Sequence, residues 1–308
     1  MCNRRPAEHA LHGAQAPHLA IEKPVMTVAS YYHPLLAQLP RYLEQLSTAP
    51  LGLSDWHGVA SQAVGYRHLQ HGLPCQDHGV IHCQGRPLLV LCDGAGSAPC
   101  AELGARALSE GLRRLLISLE PCLAKWLDEE EQSAELAQLA MLLVRHAKGI
   151  NADLAAAGRR SGDDFRATLL LAVAGKHSLF WLQVGDGLLA LRERGYAESS
   201  WRQLGQVNKG EFANQTAFID PQLSMAQVSW GAEPTGRVEA VVAMSDGAAE
   251  RLYSNAQSRF APMLDQWVEQ KVTVRELYEC LSQGELWRRT TGDDKSVALL
   301  VGPGVKTV

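Results

Sequence analysis

The sequence predicts an α+β fold with helices packed outside a largely antiparallel β-sandwich. Three observations carry that expectation. Short runs dense in Val, Leu, Ile and Ala fall at residues 79–92, 167–191, 238–244 and 296–301, each bounded by glycine or turn residues. The closest neighbours among them are joined by three-residue turns, Gln84-Gly85-Arg86 and Gly175-Lys176-His177, which suit antiparallel pairs. Two helix-period blocks, at 97–158 and 247–284, separate the strand groups, and no repeat or low-complexity tract interrupts the order.

In chain order, residues 1–50 read as an N-terminal extension, partly disordered, of which 1 to about 26 mix His, Ala, Pro and Arg without an apolar period. Within it Met26 is an alternative start, and 31–46 suggests a short helix broken by Pro40. A domain over 51–308 follows, its compact part beginning near Trp56. Runs 79–83 and 87–92 predict a hairpin. The second ends in Asp93-Gly94-Ala95-Gly96-Ser97, where Ser97 suits an N-cap and Pro99 a first turn. Leu103, Ala107, Leu108 and Leu115 then keep one helical face. A longer helix is expected from near Asp128, with Glu129, Glu130 and Glu131 at its positive end. Its stripe is Leu136, Leu139, Leu143, Ala147, Ile150 and Leu154, and Gly158 ends it. Strands are expected over 167–174, 178–184 and 188–191. Residues 194–237 have little period and read as an irregular excursion. A strand over 238–244, helices to about Gly284, and a last strand over 296–301 complete the chain.

With 308 residues, 46% hydrophobic and 20% charged, the chain has ample core for one large domain or two small ones. A formal net charge of −4 without any basic stretch beyond Arg288-Arg289 argues against nucleic acid as a partner. Seven cysteines at irregular spacing, with no CxxC pair, read as reduced apolar side chains rather than disulfides or a zinc site. No signal-like apolar region and no long uncharged run calls for a membrane, so a cytoplasmic monomer is expected.

The acids are the informative residues. Asp93, Asp186 and Asp246 each end or closely follow an apolar run and each precede a glycine; Asp293 and Asp294 stand just before another run, and Asp77 ahead of the hairpin. Singly, an Asp-Gly pair is a turn signal. As a set, acids at several strand ends would converge on one edge of a sandwich, where their repulsion is costly without cations. Oxygen donors without paired His or Cys select Mg²⁺ or Mn²⁺. Glycine after the acid admits a carbonyl or a phosphate to close range. Asp163 and Asp164 read as capping or solvated acids. His71, His78 and His82 lack the spacing of a zinc helix, and the Asp93–Ser97 turn lacks a Walker lysine.

Four blocks, in order from about Ser61 to Val301, resemble the type 2C (PPM) protein phosphatase family. They are Gly65-Tyr66-Arg67-His68 leading to Cys75-Gln76-Asp77; Leu91-Cys92-Asp93-Gly94-Ala95-Gly96-Ser97; Gln183-Val184-Gly185-Asp186; and Met244-Ser245-Asp246-Gly247, closed by Gly292-Asp293-Asp294-Lys295-Ser296-Val297. The wording of the first two looks like the bacterial branch. The resemblance implies a four-layer α-β-β-α sandwich and a metal-dependent phosphoserine/phosphothreonine phosphatase with two Mg²⁺ or Mn²⁺ ions. Carried over, Asp93 bridges both ions, the Gly94 carbonyl binds one, Asp77 and Asp246 hold one ion partly through waters, and Asp293 holds the other. Asp186 with Asp246 resembles a weaker third site. Asp294 stands where the family often has Asn and is expected to sit behind the ligands.

Two departures stand out. Ala95 replaces the His that many members carry after Asp-Gly, and either Arg67 or His68 can occupy the phosphate-binding position. The expected partner is a phosphorylated protein, with a cognate kinase. The alternatives are a catalytically weak relative that binds a partner through 194–237, and a hydrolase of small phosphate esters. Asn214-Gln215-Thr216 lies in what resembles the family's variable flap.

Overall fold

Strands whose side chains are apolar on both faces need a layer on each side, and that requirement sets the architecture. The computed structural model describes residues 55–129, 135–194, 201–205 and 216–304. The expected extension over 1–50, with its helix and alternative start, lies outside them. In order come β1 (His57–Ala63), α1 (Tyr66–His71), β2 (Asp77–His82), β3 (Leu88–Asp93), α2 (Ala101–Ser118), α3 (Glu120–Leu127) and α4 (Leu136–Gly158). There follow β4 (Leu169–Ala174), β5 (Ser178–Val184), β6 (Leu188–Glu193), β7 (Trp201–Leu204), β8 (Ser229–Pro234) and β9 (Val238–Met244). The last are α5 (Asp246–Leu252), a small hairpin β10 (Tyr253–Ser254) and β11 (Arg259–Phe260), α6 (Met263–Glu269), α7 (Val274–Ser282) and β12 (Lys295–Val301). Two five-stranded sheets result, ordered β1-β12-β9-β6-β7 and β2-β3-β4-β5-β8, antiparallel throughout.

The side-chain period of two sorts each run between layers. Leu88, Val90 and Cys92 of β3, with Leu169, Leu171 and Val173 of β4, join one core with α2 and α4. Their neighbours Leu89, Leu91, Leu170 and Ala172 face the other sheet, meeting Val241, Ala243, Ala298 and Leu300. Val242 and Met244 of β9 and Val297 and Leu299 of β12 pack under Leu252, Leu264, Trp267 and Leu277 of α5, α6 and α7. The layers are therefore α-β-β-α, as expected. Each Leu or Val so buried contributes about 1.5–3 kcal/mol, so acids are kept to the ends of these strands.

The expected hairpin, the strands β4, β5, β6, β9 and β12, and the stripe of α4 are all present. Four elements differ from expectation. Ser97 caps no helix: α2 starts at Ala101 behind Cys100, whose N–H donates to the Asp164 carbonyl. The longer helix expected from near Asp128 is preceded by α3, with Pro121 in its first turn, and Asp128 ends α3 rather than starting α4. Asp128 is held there by the buried Arg86 (2.9 Å), which also pairs with Glu120 (2.8 Å). β1 escaped the sequence reading because Gly58, Ala60 and Ser61 give it little apolar mass. The excursion over 194–237 contains β7 and β8, edge strands with half-exposed, polar-interrupted runs.

Candidate active site

The register of the two sheets brings the acids to one end of the sandwich. Asp77, first residue of β2, lies directly opposite Asp93, last residue of β3. Met244, which ends β9 two residues before Asp246, pairs with both Leu188 of β6 and Val297 of β12. The β5–β6 turn carrying Asp186 and the segment carrying Asp293 and Asp294 therefore end at the same level. Gly185 turns that corner at φ +104°, a conformation that disfavours side chains. At Gly94 a Cβ would stand 2.8 Å from the Gln76 and Ala101 carbonyl oxygens, so only glycine passes there.

Hydrogen bonds fix the backbone beneath these acids. Asp93 N–H donates to Thr168 Oγ1 (3.1 Å), and Gly94 N–H to the Gln76 carbonyl (3.1 Å). Gly247 N–H donates to Asp246 Oδ1. Thr216 Oγ1 donates to Asp186 Oδ2 (2.6 Å), and Asp294 N–H to Asp293 Oδ1 (2.9 Å). Asp294 itself, 2% exposed, accepts from Gly65 N–H and Gln76 N–H (both 2.6 Å) and lies 2.8 Å from His68 Nδ1. It ties the α1 entry and the β2 entry to the start of β12.

The electrostatics link the acids into one run. Burial pushes Asp77 up to about 7, and the Asp294 charge adds to the rise, while the Ser296 and Ser245 hydroxyls oppose it. Asp77 Oδ2 and Ser296 Oγ are both sealed from solvent without completing a well-aligned hydrogen bond. Asp93 is raised well above the usual carboxylate range by desolvation, then by the Asp77 and Asp246 charges. Asp246 meets solvent on its outer face, yet desolvation of its inner face raises it, with Asp186 and Asp293 adding to the shift. Among the described residues no three His, Cys, Asp or Glu side chains are gathered as donors of a single ion; the carboxyls meet in pairs.

Arg67 and His68 lie on the helix α1, not on a strand. His68 Nδ1 lies against Asp294 (2.8 Å) without a well-aligned hydrogen bond, whereas Arg67 is exposed, its stem beside Gly292. Sequence reasoning missed Thr168, Ser245 and Ser296, whose hydroxyls face the acids, and Arg166, whose Nη2 donates to Ser97 Oγ (2.7 Å). Only the position of Thr168 at the head of an apolar run could have drawn attention to it. Asp163 stays exposed in a turn over Gly162–Phe165, and the six described cysteines are free thiols. None of the described helices is long and apolar enough to cross a membrane.

The sequence profile of the family described as Protein phosphatase 2C matches residues 64–282, spanning every acid block except Asp293-Asp294. This chain belongs to that family. It is 26% identical over 265 residues to the serine/threonine-protein phosphatase 3 of Escherichia coli (strain K12), covering 80% of this chain and 98% of the relative. Among solved structures it is similar to the S. agalactiae serine/threonine phosphatase, at TM-score 0.53 and 17% identity over 80% of this chain and 99% of that one. PppA of Pseudomonas aeruginosa, described as a key regulatory component of T6SS, matches at TM-score 0.52 and 18% identity, over 81% and 99%. At such identities the structures speak for the fold, and the family profile for the chemistry: the chain is a protein serine/threonine phosphatase.

Proposed function

We propose that this phosphatase removes phosphate from phosphoserine and phosphothreonine in proteins at a binuclear Mg²⁺ or Mn²⁺ site formed at the strand ends. The observation that carries the reading is the run Asp77–Asp93–Asp246, three buried-edge carboxyls in which the Asp77 and Asp246 charges both disfavour a charged Asp93 between them. The donors are all oxygens, and the poorly partnered Asp77 Oδ2 is a buried acceptor in want of a cation. These residues fit the ions.

Asp93 would bridge the two ions and the Gly94 carbonyl bind one; Asp77 and Asp246 would share one and Asp293 take the other, with Asp186 and Asp246 left for a weaker third. The ions, when bound, supply Lewis-acid chemistry, neutralising phosphate charge and making water nucleophilic at neutral pH. The chain's own part is positioning. Thr168 fixes the Asp93 backbone, Thr216 fixes the Asp186 carboxylate, and Asp294 holds the Gln76 backbone next to Asp77. With His68 spent on Asp294, Arg67 is the better phosphate group of the two, its exposed fork suited to two oxygens. Ala95 can donate no proton, so its side chain takes no part in leaving-group departure. The phosphatase domain is taken as 51–308, acting as a monomer in the cytoplasm against the product of a kinase.

The test is hydrolysis of para-nitrophenyl phosphate and a phosphothreonine peptide with Mn²⁺, then after EDTA. Loosely held all-oxygen sites should need roughly millimolar metal. Turnover that survives complete metal removal contradicts the reading, and no turnover with any metal favours the partner-binding alternative.

A further inference from the structure

Arginines buried for structure spend their donors inside the protein. Arg86 does so, giving hydrogen bonds to Glu120, Asp128 and the Ala174 carbonyl from all three of its nitrogens. Arg166 does not. Its side chain makes one hydrogen bond, to Ser97 Oγ, its Nε is sealed without a partner, and no carboxylate pairs with it among the described residues.

Its place is nevertheless fixed from two sides. The Arg166 carbonyl accepts from Ala95 N–H (3.1 Å), beside the bridge that pairs Gly94 with Ala167. Its guanidinium carbon lies 5.3 Å from the centroid of the Phe218 ring, and Phe218 packs on Ala95, Ala98 and Ala101. Stacking on a ring leaves the edge of the guanidinium free to donate. Thr168, two residues on, takes the Asp93 N–H on its hydroxyl, and the Ala167 bridge to Gly94 holds the segment between them against the same loop. A cation without a carboxylate partner among the described residues thus lies against the loop that follows Asp93.

We infer that Arg166 grips the phosphoryl oxygens of the substrate from the Ala95 side, a role that rests on the phosphatase reading. Nη1 and the hydrogen of Nη2 that Ser97 leaves unused remain to donate to oxygens of a phosphate dianion. The loop that lacks a proton donor at Ala95 carries a permanent positive charge instead. Arg166 cannot release a proton at working pH, so it binds and neutralises charge without acting as an acid. Ser97 and Phe218 hold the group in place before substrate arrives.

The experiment compares wild type with Arg166→Gln, which can still donate to Ser97, and Arg166→Lys, which keeps the charge. Four readings are taken with Mn²⁺ present: KM and kcat for para-nitrophenyl phosphate, the same for a phosphothreonine peptide, competitive inhibition by inorganic phosphate, and the melting temperature with and without inorganic phosphate. Arg166→Gln should weaken phosphate inhibition about tenfold, the loss of about 1.4 kcal/mol of binding, and raise KM for both substrates alike. Arg166→Lys should recover part of that loss. Phosphate inhibition within twofold of wild type, in a variant that melts normally, overturns the assignment. A KM rise confined to the peptide overturns it too, because the contact would then be to polypeptide. If wild type hydrolyses neither substrate, the proposed function fails separately. Arg166 is then judged by the phosphate-induced rise in melting temperature, and an equal rise in wild type and Arg166→Gln overturns the inference. Should Arg166→Gln melt low, Arg166→Lys decides: at full stability, phosphate inhibition more than twofold weaker than wild type supports the assignment, and inhibition within twofold of wild type overturns it.

Discussion

Asp93→Asn should lower turnover by at least about 10³-fold while leaving the fold in place. Asp93 stands at the end of β3, between Asp77 across the ladder and Asp246 from the other sheet. If it bridges two cations, its charge sits where their mutual repulsion is greatest, and an amide there removes the bridge. Several kcal/mol of barrier follow, at about 1.4 kcal/mol per tenfold. The fold is expected to tolerate the change because the residue's structural bonds, to Thr168 and from the Thr168 N–H, are made by its backbone. Relief of carboxyl crowding should even raise the melting temperature of the metal-free variant. Asp186→Asn should cost less, since Asp186 acts on Asp246 rather than on Asp93 in the electrostatics and is already held by Thr216. Asp163→Asn, an exposed turn residue, should be silent. Equal turnover in Asp93→Asn and wild type at saturating Mn²⁺ would return these acids to the role of turn residues.

Asp294→Ala should produce the largest loss of stability of any single acid. Its two oxygens take up Gly65 N–H, Gln76 N–H and His68 across more than two hundred residues of chain. Each buried N–H left without a partner costs about 1–3 kcal/mol. Two of them, with the freed His68, should cost about 3–5 kcal/mol, which at 2–4 °C per kcal/mol is a fall of roughly 10 °C in melting temperature. Asp294→Asn keeps one acceptor oxygen and should lose less. The exposed Arg275–Glu279 pair is as short, at 2.8 Å, yet Glu279→Ala should leave melting unchanged, because solvent screens it. A normal melting temperature in Asp294→Ala would mean that the three donors find other partners.

Much of this was legible in the chain because burial on both faces writes a continuous apolar run. β4, β5, β9 and β12 announce themselves that way, and the acids stand out as the first charges after or before such runs. Edge strands carry a weaker mark: Trp201-Arg202-Gln203-Leu204 and the Gly- and Pro-containing β8 read as loop, since only one side of each is paired. Asp128 looked like a helix start and is a helix end, because its partner Arg86 lies 42 residues away. The same holds for Asp294, whose neighbour Asp293 is indistinguishable from it locally. Which of two adjacent aspartates faces Gly65 is decided by a contact 229 residues distant. Arg166 gave no signal, since a solvated arginine and an anchored one look alike without their neighbours, and Ser97 read as a helix cap because its partner Arg166 is 69 residues away.

The central claim is that these aspartates form one repulsive cluster built to be neutralised by cations, and the melting temperature as a function of pH and metal tests it most directly. A carboxyl whose folded pKa is raised stabilises the fold while protonated. For Asp77, raised from 3.8 to about 7, that contribution is complete below about pH 4 and is lost as pH rises through about 7. Asp93 and Asp246 shift in the same direction. The metal-free chain should therefore melt lower at pH 8 than at pH 5. Mn²⁺ should raise the melting temperature strongly at pH 8, where the carboxyls are charged, and weakly at pH 5, where protons compete. Asp93→Asn should lose most of the rise at pH 8. An Mn²⁺ response that is absent at pH 8, or equal in wild type and Asp93→Asn, would contradict the account.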